Sequence, residues 1–106
     1  MIKLFTYGTL QQTDVQEELF GRRLVGTPEI IVGYALQEIQ IEEEFGIVAY
    51  EILVETGNPK DTINGIVYDV TQKELYQADL YEGMNYKRVE VHLQSDQKVW
   101  AYSATR

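Results

Sequence analysis

The sequence contains no cysteine and only one histidine, and these absences exclude several kinds of catalytic site. Without cysteine there is no disulfide, no thiolate nucleophile and no cysteine-ligated metal. The histidine, His92, falls on the polar face of a predicted strand between Glu90 and Gln94, so we expect it to be exposed and not part of a Ser-His-acid triad. No residues have metal-ligand spacing, and the acidic run 42–44 is expected to be a solvated turn.

Basic residues are also scarce, since 9 Lys and Arg stand against 17 Asp and Glu and give a formal net charge of −8. An acidic surface repels phosphate groups, so we expect neither a nucleic-acid partner nor binding to an anionic membrane. The same charge favours a monomer. The chain has no apolar run long enough to span a bilayer and no signal-peptide pattern at its start, so a cytoplasmic location is expected.

The length of 106 residues and the hydrophobic content of 44% indicate one folded domain over 1–106. Two short helices and six or seven strands are predicted. The helices are predicted over about 14–20 and about 72–80. Each is preceded by a capping-box spacing, which begins at Thr13 and at Thr71, and each is followed by a glycine that suits a helix end, Gly21 and Gly83.

The strand predictions rest on apolar alternation and on turn-forming residues. Pro28 is expected to break 24–33 into short extended pieces, and a bulge is expected within 33–41. The apolar runs 46–54 and 63–70 flank a polar loop and are predicted to pair as a hairpin. Without a regular βαβ repeat, the pattern favours the α+β class, with a mixed, mostly antiparallel sheet curled into a small β-barrel and two short helices attached.

One short stretch, Tyr7-Gly8-Thr9-Leu10, follows the first predicted strand and leads into the first helix. Gly8 lacks a Cβ, so its backbone can adopt positive φ and allow a ligand to approach closely. Backbone N–H groups at such a strand-to-helix junction can point at an anion or a carbonyl oxygen. A plain connecting turn is the alternative interpretation of the same four residues.

Among the many carboxylates, Glu82 stands out because it lies at a predicted helix end next to aromatic residues, Tyr81 before it and Tyr86 shortly after. Aromatic neighbours can desolvate a carboxylate and raise its pKa toward neutrality, as a general base requires. An exposed surface glutamate is the alternative. Asp79 competes for the same role, although fixing the helix end suits it better.

Taken together, four segments resemble the gamma-glutamylcyclotransferase-like family, closest to its AIG2-like and gamma-glutamylamine cyclotransferase branch. They are Tyr7-Gly8-Thr9-Leu10, Gly65-Ile66-Val67-Tyr68, Asp79-Leu80-Tyr81-Glu82-Gly83 and Tyr86-Lys87-Arg88. The resemblance implies a small mixed barrel whose cavity is lined by the loop of Tyr7, Gly8, Thr9 and Leu10 on one side and by a catalytic glutamate, here Glu82, on the other.

The resemblance further implies an enzyme that needs no cofactor. The α-amine of a γ-glutamyl group attacks its own γ-carbonyl, forming 5-oxoproline and releasing an amine or amino acid. Glu82 would move the proton, and the loop would bind the substrate.

The alternative functions are a non-catalytic binder of small ligands, cyclotransfer on a biosynthetic γ-glutamyl conjugate, and a protein-interaction domain. The leaving group stays open, with Tyr34, Tyr50, Tyr81, Tyr86 and Arg88 as candidate specificity residues. Arg88 either binds a substrate carboxylate or lies on the polar strand face beside Glu90.

Overall fold

The computed structural model describes residues 1–104. In chain order the elements are β1 (Ile2–Thr6), a 3-10 turn (Thr9–Gln11), α1 (Thr13–Phe20), β2 (Gly26–Val32), β3 (Tyr34–Glu43), β4 (Gly46–Glu55), β5 (Thr62–Val70), α2 (Gln72–Glu82), β6 (Tyr86–His92) and β7 (Lys98–Ala104).

Five strands form one mixed sheet in the order β2-β5-β1-β7-β6. Only β1 and β7 run parallel, and the other neighbours are antiparallel. The sheet curls until its two edge strands touch at a single bridge between Ile31 and Leu93, where the Gln94 N–H also donates to the Ile30 carbonyl at 2.7 Å. The predicted α+β fold with a mixed, mostly antiparallel sheet and two helices is confirmed, but apart from this one bridge the sheet does not close into a barrel.

The strand β1 runs through the centre of the protein and is buried on both faces. Successive side chains of a strand point in opposite directions, so Leu4 and Phe5, each 1% exposed, enter different apolar clusters. Phe5 packs in a cluster that includes the hairpin residue Tyr34. Leu4 packs in a cluster that includes Leu75 and Ala78 of α2. Tyr7, the residue after β1, therefore follows a strand that packs against an apolar cluster on each face.

The helix α2 begins with the predicted capping box. The Glu74 N–H donates to Thr71 Oγ1 at 3.1 Å, and the Thr71 N–H donates to Glu74 Oε1 at 2.9 Å. Arg22 adds two parallel hydrogen bonds to the Glu74 carboxylate, at 2.7 and 2.8 Å, and this lowers the pKa of Glu74 to about 2. Neither described helix is long and apolar enough to cross a membrane.

The capping box predicted at Thr13 is wrong. The residue before the helix is Gln12, it makes no side-chain cap, and Thr13 already has helical geometry. In a capping box the Gln16 side chain would accept a hydrogen bond from the N–H of Thr13, but this side chain is engaged elsewhere. Its buried amide instead donates to the Leu10 carbonyl at 2.7 Å and accepts the Leu24 N–H at 2.9 Å.

The predicted break at Pro28 and the predicted bulge are also wrong. The strand β2 continues through Pro28, because β2 is an edge strand and the missing N–H faces no neighbour. The pairing of β3 with β4 is one-to-one from Tyr34 opposite Glu55 to Glu43 opposite Gly46. His92 is exposed, as predicted.

The predicted hairpin of 46–54 with 63–70 is wrong, since β4 pairs with β3 and β5 pairs with β1 and β2. The loop between β4 and β5 turns the chain away from the hairpin. It does so through Gly33, whose carbonyl accepts the Thr56 N–H at 2.8 Å and whose N–H donates to the Asp61 carbonyl at 2.7 Å. The β3–β4 hairpin thus forms a separate two-stranded sheet, and β4 contacts β7 through the Leu53 N–H, which donates to Ser103 Oγ at 3.0 Å.

Candidate active site

The main cavity of the described structure, about 470 Å³, opens where the end of β1 meets β4 and the end of α2. All five residues singled out in the sequence as site candidates line it. The complete lining consists of Phe5, Thr6, Tyr7, Gly8, Thr9, Leu10, Ala49, Glu51, Tyr81, Glu82, Tyr86 and Tyr102.

The loop of Tyr7 to Leu10 is held in place by contacts at both of its ends. The Tyr7 O–H donates to the carbonyl of Tyr102 on β7. Gln11 Nε2 donates to the Thr6 carbonyl at 2.7 Å, and Thr9 Oγ1 lies 2.7 Å from the Tyr81 hydroxyl. The last contact joins the loop directly to the turn of α2 that carries Glu82.

Gly8 does not use the positive φ that is open to a glycine, since its φ is −136°. A Cβ added at Gly8 would meet no protein atom within 4 Å, so the position faces open space in the cavity. The first hydrogen bond of the 3-10 turn runs from the Gln11 N–H to the Gly8 carbonyl. Consequently the N–H groups of Gly8, Thr9 and Leu10 have no partner within the turn.

Glu82 is the last residue of α2, which extends two residues beyond the predicted end at 80. Gly83 ends the helix with φ of +78°, and its N–H donates to the Asp79 carbonyl at 3.0 Å. Glu82 is half-buried, and its burial raises its pKa to about 7. A carboxyl group with this pKa can both accept and release a proton near neutral pH.

Two tyrosines beside Glu82 stay protonated over the whole physiological range. Burial raises the pKa of Tyr7, and the charges of Glu51 and Glu82 raise it further. Burial also raises the pKa of Tyr102, whose O–H donates to Asp79 Oδ1 at 2.6 Å. Both phenols therefore stay neutral in the wall of the cavity, and each donates its proton to an acceptor of the protein.

Sequence analysis missed Glu51, the second carboxylate of the cavity. Strand alternation places Ala49 and Glu51 on one face of β4, and both line the cavity. That alternation is visible in the sequence. The sequence could not show which face of β4 lines the cavity, because β4 was predicted to pair with β5 instead of β3.

The candidate specificity residues separate into two groups. Tyr81 and Tyr86 line the cavity, whereas Tyr34, Tyr50 and Arg88 are absent from its lining. Arg88 lies on the same face of β6 as Glu90, which agrees with the second interpretation. Its Nε lies 2.8 Å from Asp79 Oδ1, and its guanidinium lies 4.9 Å from the centre of the Trp100 ring. Within residues 1–104 no group of three or more acidic or histidine side chains is placed to hold a metal.

Comparison with solved structures finds the same fold in several proteins. Two solution structures from Arabidopsis thaliana match with TM-scores of 0.71 and 0.72, at 24% and 23% identity, over 97% and 99% of this chain. A crystal structure from Pyrococcus horikoshii matches with a TM-score of 0.63 at 20% identity, over 100% of this chain and 80% of that protein. A structure named gamma-glutamyl cyclotransferase matches with a TM-score of 0.66 at 16% identity, over 99% of this chain.

The chain is shorter than these relatives. It spans 61% and 69% of the two Arabidopsis chains and 67% of the chain named gamma-glutamyl cyclotransferase. A search of curated proteins finds no match. The sequence profile described as "Gamma-glutamyl cyclotransferase, AIG2-like" matches residues 4–106, which is nearly the whole chain. The protein therefore belongs to the AIG2-like gamma-glutamyl cyclotransferase family.

Proposed function

We propose that the protein is a cofactor-independent cyclotransferase that converts a γ-glutamyl amine or a related amide into 5-oxoproline and a free amine. The observation that carries this proposal is Glu82, a half-buried carboxyl group with a pKa of about 7 in the same cavity as the Tyr7–Leu10 loop. The reaction needs one group that moves a proton and one surface that holds an acyl substrate. Glu82 is proposed for the first role and the Tyr7–Leu10 loop for the second.

The proposed reaction begins with the substrate α-amine as an ammonium ion. Glu82 removes one proton, and the amine nitrogen then attacks the γ-carbonyl carbon of the same molecule. A new C–N bond closes the five-membered ring, and the original amide C–N bond breaks. The protonated Glu82 gives its proton to the departing nitrogen. The new ring nitrogen still carries a second proton, which passes through Glu82 or water to the released amine, so that the amine leaves as an ammonium ion and Glu82 ends in its starting state. Holding the substrate folded makes this intramolecular attack fast.

The loop of Tyr7 to Leu10 is the proposed binding surface for the acidic parts of the substrate. The N–H groups of Gly8, Thr9 and Leu10 have no partner within the 3-10 turn, and the residues line the cavity. They can therefore donate to the substrate α-carboxylate or to the oxyanion that forms at the γ-carbonyl. The Tyr7 hydroxyl is engaged with the Tyr102 carbonyl, and so we assign Tyr7 to shaping the cavity.

Formation of 5-oxoproline tests the proposal. The wild-type protein is incubated with γ-glutamyl amino acids, γ-glutamyl amines and the γ-glutamyl-ε-lysine isodipeptide, and product is measured by chromatography. We expect product from at least one substrate, and we expect Glu82→Gln to reduce it at least about a hundredfold, as loss of a general base does. Glu18→Gln, an exposed change on α1, is the control and should retain full activity.

The competing functions predict different results in the same assay. A well-folded Glu82→Gln protein with activity within a few-fold of wild type would remove Glu82 from the mechanism. A wild-type protein that binds the substrates without forming 5-oxoproline would be a ligand-binding protein. Turnover confined to a larger conjugate would favour a biosynthetic role. The walled cavity of about 470 Å³ supports a small-molecule site over a purely protein-binding surface.

A further inference from the structure

The charged side chains of the cavity all have the same sign. Glu51 and Glu82 are its only charged lining residues, and within residues 1–104 no Lys, Arg or His lines it. Because the pKa of Glu82 is about 7, this group is partly neutral at physiological pH. Glu51 is the second acidic residue of the cavity, and the proposed proton transfer does not use it.

The position of Glu51 is fixed by its backbone. Its N–H donates to the hydroxyl of Tyr86 at 3.3 Å, and that tyrosine lines the same cavity. Its carboxylate takes part in none of the ion pairs of the described chain, which join Lys3 to Asp69, Arg22 to Glu74, Arg23 to Glu17 and Arg88 to Asp79. Glu51 thus presents an acidic group to the cavity with no cation of the protein to neutralise it.

The hairpin adds a second, independent feature. The register of β3 with β4 places Glu38 directly opposite Glu51. The Glu51 N–H donates to Tyr86, outside the hairpin, which makes this a non-hydrogen-bonded pair, the type in which opposite side chains lie closest. Like charges directly opposite each other destabilise a strand pair. A cation bound beside Glu51 would relieve this repulsion.

A γ-glutamyl substrate has two places for a positive charge, its α-amine and its leaving amine. The α-amine must lose its proton to attack, and a nearby carboxylate that takes no part in the proton transfer would favour the ammonium form of that amine. The adjacent α-carboxylate would also be repelled by Glu51. Both effects place the γ-glutamyl end at the loop and direct the leaving amine toward Glu51.

We propose that Glu51 is a specificity residue that selects leaving amines carrying a second, positively charged amino group, as in γ-glutamyl conjugates of diamines. This inference rests on the proposed function, because it concerns the same cavity. A charged partner for a carboxylate makes a stronger hydrogen bond than a neutral one. The neutral analogue of such a substrate would leave Glu51 solvated in the cavity without a partner.

The test compares two substrates that differ only in charge, the γ-glutamyl amides of diaminopentane and of hexylamine. For the wild-type protein we expect kcat/KM to favour the diaminopentane amide by about tenfold, as one charged hydrogen bond allows. The preference should fall with added salt. Glu51→Gln should bring the ratio close to one, and Glu51→Lys should invert it. Glu44→Gln, in the exposed turn of the same hairpin, is the matched control and should keep the wild-type ratio.

A parallel binding measurement separates this inference from the proposed function. Calorimetry with the Glu82→Gln protein compares the two amides without turnover. Binding that favours the diaminopentane amide, with no 5-oxoproline formed by the wild type, would overturn the proposed function and keep the role of Glu51. Turnover of both amides at equal kcat/KM, or an equal loss for both in Glu51→Gln, would overturn the inference and leave the cyclotransferase proposal intact.

Discussion

Tyr102 donates its hydroxyl to Asp79 Oδ1 at 2.6 Å, and this contact joins β7 to the helix that carries Glu82. The same oxygen lies 2.8 Å from the Nε of Arg88 on β6. Asp79 precedes Glu82 by three residues, so the two side chains emerge about one helical turn apart. The two strands thereby hold the last turn of α2 through a carboxylate that does not line the cavity.

From this arrangement we expect Asp79→Asn to lower kcat about tenfold while leaving KM near its wild-type value. The asparagine keeps an oxygen for Tyr102 but loses the charge that holds Arg88, so the turn bearing Glu82 becomes less well positioned. Asp79 is a positioning residue in this account. Steady-state kinetics, recorded well below the melting temperature, give kcat and KM separately and so show whether only kcat changes.

A matched control separates positioning from stability. Asp69→Asn removes the Lys3 ion pair, which has a 2.9 Å distance but lies away from the cavity. We expect it to leave kcat at the wild-type value. If Asp79→Asn lowers the melting temperature without changing kcat, or if both variants lower kcat equally, Asp79 has only a structural role.

The pKa of Glu82 predicts the acid limb of the pH–rate profile. Burial raises the pKa of this carboxyl group to about 7, and only its ionised form can accept the ammonium proton. Activity measured as kcat/KM should therefore increase with pH through about 7, whereas an ordinary solvated glutamate would give a limb near 4.3. The profile is measured over the range in which circular dichroism shows the fold to be unchanged. A limb near pH 4 would contradict the desolvation of Glu82.

Some local features of this fold could be predicted from the sequence, although the capping box at Thr13 and the break at Pro28 could not, and strand partners could not be predicted. The capping box of Thr71 and Glu74 and the helix-ending glycines depend on residues a few positions apart, and the structure confirms them. The pairing of β4 depends on contacts distant in sequence. Apolar alternation shows which face of a strand is buried, but it does not say which strand lies beside it.

The candidate site illustrates the same division. The Tyr7–Leu10 loop and Glu82 were found from short motifs, and both line the cavity. The burial of Glu82 depends on a cavity wall assembled from distant strands, so the size of its pKa shift could not be predicted from its neighbours in the sequence. Glu51 was missed for the same reason, because its face became defined only once β4 was placed against β3 and β7.

At Gly8 the structure predicts a loss of substrate binding with little loss of stability. A Cβ there would meet no protein atom within 4 Å, so the valine of Gly8→Val would occupy cavity space instead of displacing the protein. We expect KM to rise about tenfold or more, with Gly8→Ala showing a smaller increase. If Gly8→Val bound substrate as tightly as the wild-type protein does, the loop would have only a structural role.

The contrasting glycine is Gly65 on β5. A Cβ at Gly65 would lie 2.3 Å from the Thr6 carbonyl oxygen and 2.4 Å from Phe5 Cζ, both too close for a real contact. Gly65→Ala should therefore lower the melting temperature clearly, because β1 and β5 must move apart. Thermal melts of Gly65→Ala and Gly8→Val, measured side by side, show whether the two positions differ as the structure requires.

The ion pair of Glu74 with Arg22 predicts how stability depends on pH. The Arg22 hydrogen bonds, and the capping contacts with Thr71, lower the pKa of Glu74 from 4.5 to about 2 in the folded protein. Because the folded-state pKa lies below the unfolded one, the contribution to stability is present in full above about pH 4.5 and is lost as the pH falls to about 2. Glu74→Gln should therefore reduce the free energy of unfolding by about 2 kcal/mol at pH 7, allowing for the exposure of Arg22. The difference between variant and wild type should shrink toward zero near pH 2.

The pair of Arg23 with Glu17 provides the control for this last prediction. Its distance is also 2.7 Å, but its side chains are 70% and 52% exposed, whereas the Glu74 side chain is 9% exposed. Solvent screens an exposed pair, so Glu17→Gln should change the free energy of unfolding by less than about 0.5 kcal/mol at either pH. Urea unfolding of both variants at several pH values measures these differences. Equal losses in the two variants would mean that neither the burial of Glu74 nor its capping box strengthens the ion pair.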